Sequence, residues 1–484
     1  MKVWALSFFV LILSCFLKVE SNSSIYNVID YGARGDGHID DTKAFTKAWE
    51  AACSSSSSSS PTMQVPSEMT FMIQPLYFRG ECDPKQINVE INGNIVGPKD
   101  PSDWTCYDGC REWIHFEHVD GLRVYGSGTI NGQGQKWWDL NAFTKAWEAA
   151  CSSSSSSSPT MHVPSEMTFM IQPLYFRGEC DPKQINVEIN GNIVGPKDPS
   201  DWTCYDGCRE WIHFEHVDGL RVYGSGTING QGQKWWDLNA LKISNSNNVY
   251  LTGLSFKDNP RVHVEFKGSK SVYISGISID APGNSPNTDG IHIGGSTDVF
   301  INDCSIKTGD DCISMVDGSS NIQISNITCG PGHGISIGSL GKHGAEDKVE
   351  NIHVSDVVFT GTTNGARIKT WQGGNGYVRD IVYERVLCQE IAYPIIINQN
   401  YCDHEHCETQ NAAVQVSNVT FRQFLGTSRK ETAIMLDCSK AVPCKDIILE
   451  NIYLRTTHGH HAKSVNNNAH GRTQGLMVPV IPLS

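Results

Sequence analysis

From about residue 240 the chain keeps returning to one alternation: apolar-x-apolar-x-small or polar-apolar-x-apolar. It reads "VYLTGLSF" (249–256), "VYISGISI" (272–279), "VFINDCSI" (299–306) and "IQISNITC" (322–329). It continues as "IHVSDVVF" (352–359), "IVYERVLC" (381–388), "VQVSNVTF" (414–421) and "IILENIYL" (447–454). The period of two and the many β-branched residues predict short strands, and the stretches between them carry little helical pattern. The central positions Gly253, Gly276, Asp303, Asn326, Asp356, Arg385, Asn418 and Asn451 step by 23, 27, 23, 30, 29, 33 and 33 residues. Strands recurring at such steps without crossover helices stack in parallel, coil on coil. The pattern therefore predicts an all-β chain, a β-solenoid whose coils bury their apolar faces against their neighbours. An antiparallel sandwich is the alternative that short, regular strands also allow.

Upstream the pattern is different. Residues 44–141 recur as 142–239, and the copies differ only at Gln64 against His162. Each copy opens with "AFTKAWEAAC", whose Phe, Ala and Trp spacing predicts a short helix able to cap the solenoid. Seven serines follow in each, Ser54–Ser60 and Ser152–Ser158, as low-complexity loops. Repeats this similar point to a recent tandem duplication or to an error in the gene model. No change of composition marks a linker, so residues 22–484 read as one domain with its core motif region at 240–455. Ahead of it, Lys2, an apolar run from Val3 to Leu17 and the small residues near Ser21 read as a signal peptide over 1–21.

Composition narrows the partners. The formal net charge of −14 argues against nucleic acid as a partner, which would call for a basic face. No later segment is long and apolar enough for a membrane helix, and a monomer is expected. Of 17 cysteines, Cys15 lies in the signal peptide, leaving 16 for an oxidising compartment where disulfides form. Asn22, Asn326 and Asn418 each begin a glycosylation sequon. A secreted, extracellular or cell-wall protein is expected.

Four stretches between the strands carry chemistry. "NTDG" supplies Asp289, "TGDDC" supplies Asp310 and Asp311, "GPGHG" supplies His333, and "RIK" supplies Arg367 and Lys369 on one strand face. Singly, each acidic pair reads as a turn. Their spacing changes that: Asp289 to Asp310 is 21 residues and Asp310 to His333 is 23, close to one coil each. Residues one coil apart share a lateral position, so the acids, the histidine and the two cations should line one side of the stack. Three neighbouring carboxylates cannot all ionise freely, so at least one is expected with a raised pKa. A protonated acid beside an ionised base is what glycoside hydrolysis needs, and local Arg and Lys suit an anionic sugar despite the negative total charge.

At these residues the chain resembles the plant polygalacturonases of glycoside hydrolase family 28. The runs "SPNTDGIHI", "TGDDCIS", "CGPGHGISIGSLG" and "ARIKTWQGG" carry the likeness in the family's order, with "IDYGARGDGHIDDTKAF" near the start. The resemblance implies a single-stranded right-handed parallel β-helix that hydrolyses α-1,4-galacturonosyl bonds of pectin with inversion. It implies Asp310 as general acid, Asp289 and Asp311 as activators of water, and His333 as support for protonation and geometry. Arg367 and Lys369 would bind the substrate carboxylate, Asn287 would orient the site and Tyr401 would line a subsite. No metal and no cofactor is implied. The resemblance also implies the disulfides Cys312–Cys329, Cys402–Cys407, Cys438–Cys444 and Cys53–Cys82. The chain departs from the family in its doubled N-terminal region and in a tail after Leu454 that lacks the last cysteine pair and the strand pattern. In that tail His458, His460 and His461 read as an ordinary loop. Two other readings remain: a pectate-lyase-like β-helix using Ca²⁺ and an Arg or Lys base, and an inactive wall-binding β-helix.

Overall fold

The computed structural model describes residues 24–56, 60–98, 103–105, 112–132, 138–154, 158–202, 209–234, 239–402, 407 and 410–483. The expected signal peptide and the Asn22 sequon lie outside them. The stretch read as one domain over 22–484 comprises two compact units that divide between Trp137 and Trp138, each with its own apolar core.

In the first unit the helix Thr42–Cys53 buries Phe45, Ala48 and Trp49 against short parallel strands. Trp49 packs 5.1 Å from Phe78 and 5.5 Å from Phe116, centroid to centroid. Cys53–Cys82 ties the helix end to the coil. The second copy repeats this locally, as its sequence requires: Trp147 lies 5.2 Å from Phe176 and 5.3 Å from Phe214, and Cys151–Cys180 takes the place of the first tie. The copies part where the next coil begins. Val222 and Ile228 are 1% exposed because Asn247–Thr252 and Ser255–Lys257 stack on their strands. Their counterparts Val124 and Ile130 are 48% and 54% exposed, on strands that end their sheets.

The second unit is the expected all-β parallel solenoid. Among the described residues one sheet has 17 strands, from Thr160–Val163 to Ala469–Val478, and another has 11, from Leu174–Arg177 to Lys463–Asn467. The pairings within both are parallel, which excludes the antiparallel sandwich. Equivalent apolar positions stack through the interior: Ile274, Ile301, Ile324, Val354, Tyr383, Phe421 and Leu449 follow one another in register and are all buried.

The central small or polar positions have a structural reason. Gly253, Gly276, Asp303, Asn326, Asp356 and Arg385 all adopt positive φ and form one in-register column where the coil turns a corner. Only Gly, Asn and Asp visit this conformation readily. Arg385, the exception, is held by Asp356 through Nε at 2.7 Å. The next member is Gln423, not Asn418, followed by Asn451. Asn418 belongs to a second left-handed column with Asn321, Asn351, Asp380 and Asp446. The two corners share one local pattern, so periodicity alone exchanges them.

The tail after Leu454 also differs from expectation. Lys463–Asn467 and Ala469–Val478 add strands to both sheets, and His458 and His460 lie in the turn leading to them. Backbone pairing on a preformed edge tolerates polar residues, which is why the strand signal was weak.

Candidate active site

The site residues are presented by Ile291–Gly294, Ile313–Met315, Ile335–Leu340 and Asn364–Trp371, four consecutive strands of the 11-stranded sheet, and by the turns entering the first three. Ile291 pairs with Ile313, Ile313 with Ile335 and Ile335 with Ala366. This register corrects the spacing argument: extended backwards, it sets Asp289 level with Asp311, not with Asp310. The hydrogen bonds agree. Ser314 Oγ donates to Asp289 Oδ2 at 2.6 Å, and one coil on Ser336 Oγ donates to Asp311 Oδ1 at 2.6 Å. Asp289 and Asp311 are thus equivalents, and Asp310 is the odd member.

Asp310 is bound differently. Its Oδ1 accepts from the Asp311 amide at 2.8 Å and lies 2.9 Å from His333 Nδ1, while its carbonyl accepts the His333 amide at 2.7 Å. Its side chain is 24% exposed and that of His333 36%, against 2% for Asp311. Polar atoms of Asp310, Asp311 and His333 all lie within 4.8 Å of one another. The acid of the trio that can meet a ligand while touching the histidine is therefore Asp310.

Arg367 and Lys369 both turn onto Asp311. Arg367 reaches Oδ1 at 2.5 Å and Ser336 Oγ through Nε at 2.9 Å, and Lys369 Nζ lies 3.0 Å from Oδ2. Burial alone would raise the Asp311 pKa, but the two cations and the Ser336 hydroxyl outweigh it, and the carboxyl is held below its usual range. The buried acid is thus the ionised one, opposite to a shared-proton carboxylate. Tyr401 is brought alongside: Lys369 Nζ lies 5.6 Å from its ring centroid, and its ring meets Trp371 edge-on at 5.3 Å. Asn287 is exposed, with φ 55° in the turn before Asp289.

Several residues escaped the sequence reading. Thr288 and Thr308, both fully buried, lock the two acidic turns together, with Thr308 Oγ1 2.9 Å from Thr288 Oγ1 and the Gly309 amide donating to Thr288 Oγ1 at 3.1 Å. Gly309 is required by close approach: a Cβ there would lie 2.0 Å from the Ser285 carbonyl. His292, Ser314 and Ser336 share one lateral row with Arg367. Each stands three residues after Asp289, Asp311 or His333. That repeated offset was the available signal.

The disulfides Cys312–Cys329, Cys402–Cys407, Cys438–Cys444 and Cys53–Cys82 are formed. Cys304 and Cys388 are buried free thiols.

The family model described as glycosyl hydrolases family 28 matches residues 53–154 and 151–474, a double match that follows the duplication. A probable polygalacturonase of Arabidopsis thaliana is 45% identical over 326 residues, covering 66% of this chain and 70% of the relative. A polygalacturonase of Chamaecyparis obtusa is 35% identical over 458 residues, covering 94% and 72%. Among solved structures, the endo-xylogalacturonan hydrolase of Aspergillus tubingensis aligns with TM-score 0.60 at 24% identity, covering 70% of this chain and 95% of that one. The polygalacturonase of Erwinia carotovora aligns with TM-score 0.54 at 22% identity, covering 66% and 98%. These likenesses establish the right-handed parallel β-helix.

Proposed function

The chain belongs to glycosyl hydrolases family 28, and on that premise we propose that it hydrolyses α-1,4-galacturonosyl bonds of polygalacturonate in the plant cell wall, with inversion. The observation that carries this reading is the inequality of the three carboxylates. Asp289 and Asp311 repeat one geometry on successive coils, whereas Asp310 faces outward on His333. Asp310 is then the general acid that protonates the leaving oxygen, with His333 supporting its proton. Asp289 and Asp311 hold and activate the attacking water.

Lys369 has three donors and Arg367 five, and Asp311 and Ser336 engage only some of them. The remaining donors suit a galacturonate carboxylate, with Tyr401 beside Lys369 as a subsite wall and Asn287 orienting the turn. Their engagement with Asp311 also favours hydrolysis over elimination, because a cation held by a carboxylate is a poor proton acceptor. Five disulfides among the described residues fit an exported, cell-wall protein. No helix among the described residues is long and apolar enough to cross a membrane.

The test is a reducing-end assay of the purified chain on polygalacturonate. Asp310→Asn should lower turnover by roughly 10²–10⁴-fold with little change in substrate binding. Unsaturated, ultraviolet-absorbing ends that vanish with a chelator would replace this reading with the lyase. Retention of the polymer with no new ends would replace it with wall binding.

A further inference from the structure

His292 takes no part in the roles assigned above, yet it is hydrogen-bonded into them. Its Nδ1 lies 2.7 Å from Ser314 Oγ, which in turn lies 2.6 Å from Asp289 Oδ2. Ser314 is 1% exposed. A serine hydroxyl has one proton to give. If Ser314 donates it to Asp289, the hydroxyl oxygen can accept from His292, whose Nδ1 must then carry hydrogen. The reverse polarity requires a proton on Asp289. The direction of this chain is therefore tied to the charge of Asp289.

One coil on, the same construction has a different backing. Ser336 donates to Asp311 and accepts from Arg367, the residue that occupies the row of His292. Asp311 is thus supported by a permanent cation and Asp289 by a titratable one. We infer that His292 is a positioning residue which, through Ser314, keeps Asp289 aimed at the attacking water. This rests on the reading of Asp289 as a water-activating carboxylate.

The groups facing His292 come from three coils. Asp289 lies 3.7 Å away in the turn before its own strand. Glu265 is its register partner on the preceding coil and is itself bridged to Lys242 at 3.5 Å and Asn239 at 2.5 Å. Ser314 follows on the next coil, with Asp311 beyond it held by Arg367 and Lys369. Burial would lower the imidazole pKa, but Asp289 first, then Glu265 and Asp311, raise it. The imidazolium therefore persists above the pH at which a free histidine loses its proton. Activity should fall as pH rises past that raised value, when charge leaves His292 while its Nδ1–H can remain.

The test uses the full chain and three variants assayed on oligogalacturonates from acidic to neutral pH. His292→Gln and Ser314→Ala should each lower kcat roughly 10- to 100-fold, the range of a lost hydrogen bond to a charged group, with KM little changed. His292→Asn sets an uncharged amide donor near the Nδ1 position, so it should hold kcat near the wild type's lower, alkaline level at every pH, above His292→Gln but without the fall on the alkaline limb. Wild-type kcat and pH profile in His292→Gln, or a loss confined to KM, overturns the assignment. If His292→Gln does not fold, the pH profile of His292→Asn and the titration below decide. A second measurement is independent of turnover: the NMR titration of His292 should fall in Asp289→Asn. An unchanged titration sinks the proposal whether or not the chain is a hydrolase, whereas absent reducing ends with a shifted titration would fault only the hydrolase reading.

Discussion

At the scale of single residues, the site separates three like acids by what surrounds them. Asp311 is buried and answered by Arg367, Lys369 and Ser336. Asp311→Asn would leave two largely buried cations facing a neutral amide. Breaking a buried pair by removing one partner costs about 3 kcal/mol, so the midpoint of thermal unfolding should fall clearly at neutral pH. The sign with pH follows from the lowered pKa. Asp311 contributes stability above its unfolded pKa and loses it as pH falls through the folded value. The gap between wild type and Asp311→Asn should therefore close in acid, and a gap independent of pH would contradict the ion-paired assignment. Asp310, partly exposed and joined to His333, should show the reverse balance: a large effect on turnover and a small one on stability.

At the scale of elements, the acidic turn is fixed by groups that never meet a ligand. Thr288 and Thr308 bind it to the previous coil, and Cys312–Cys329 pins the strand it enters across a separation of 17 residues. A cross-link of that span contributes about 3 kcal/mol in the chain-entropy account. Replacing both cysteines with alanine should lower the unfolding midpoint and also reduce turnover, because the tether begins at the residue after Asp311. Calorimetry with a reducing-end assay checks both; lost stability with full activity would mean that the turn is held without the bridge. This scale is also where sequence reading slipped. Strand type and the recurring small or polar positions were legible, since alternation and Gly, Asn or Asp mark them locally. The exchange of Asn418 for Gln423, and the pairing of Asp289 with Asp310 in place of Asp311, came from counting residues along a chain whose coils differ in length.

At the scale of the whole molecule, the two copies of one sequence behave differently because a solenoid coil needs a neighbour. The second copy continues into Asn247–Thr252 and is covered; the strands Leu122–Tyr125 and Thr129–Asn131 of the first end their sheets and leave Val124, Tyr125 and Ile130 exposed. The second unit holds every proposed catalytic residue and its own core. Deleting residues 44–141 joins Lys43 directly to Ala142 and restores the junction "TKAFTKAW" without a scar. That shortened chain should keep full specific activity and aggregate less, as followed by reducing ends and light scattering. Loss of activity would show that the extra copy supports the site.

By itself the sequence determined the coil, the duplication, the disulfide partners implied by the family likeness, and the residue types gathered at the site. These depend on local alternation, identity and motif order, which a chain carries wherever it folds. The tertiary structure decided which acids are equivalent, that both cations close on Asp311, and that His292, Ser314 and Ser336 stand behind the reacting groups. It also decided that the polar tail adds a last coil. Each of these depends on register between strands distant in sequence, and hydrogen bonding between coils sets that register.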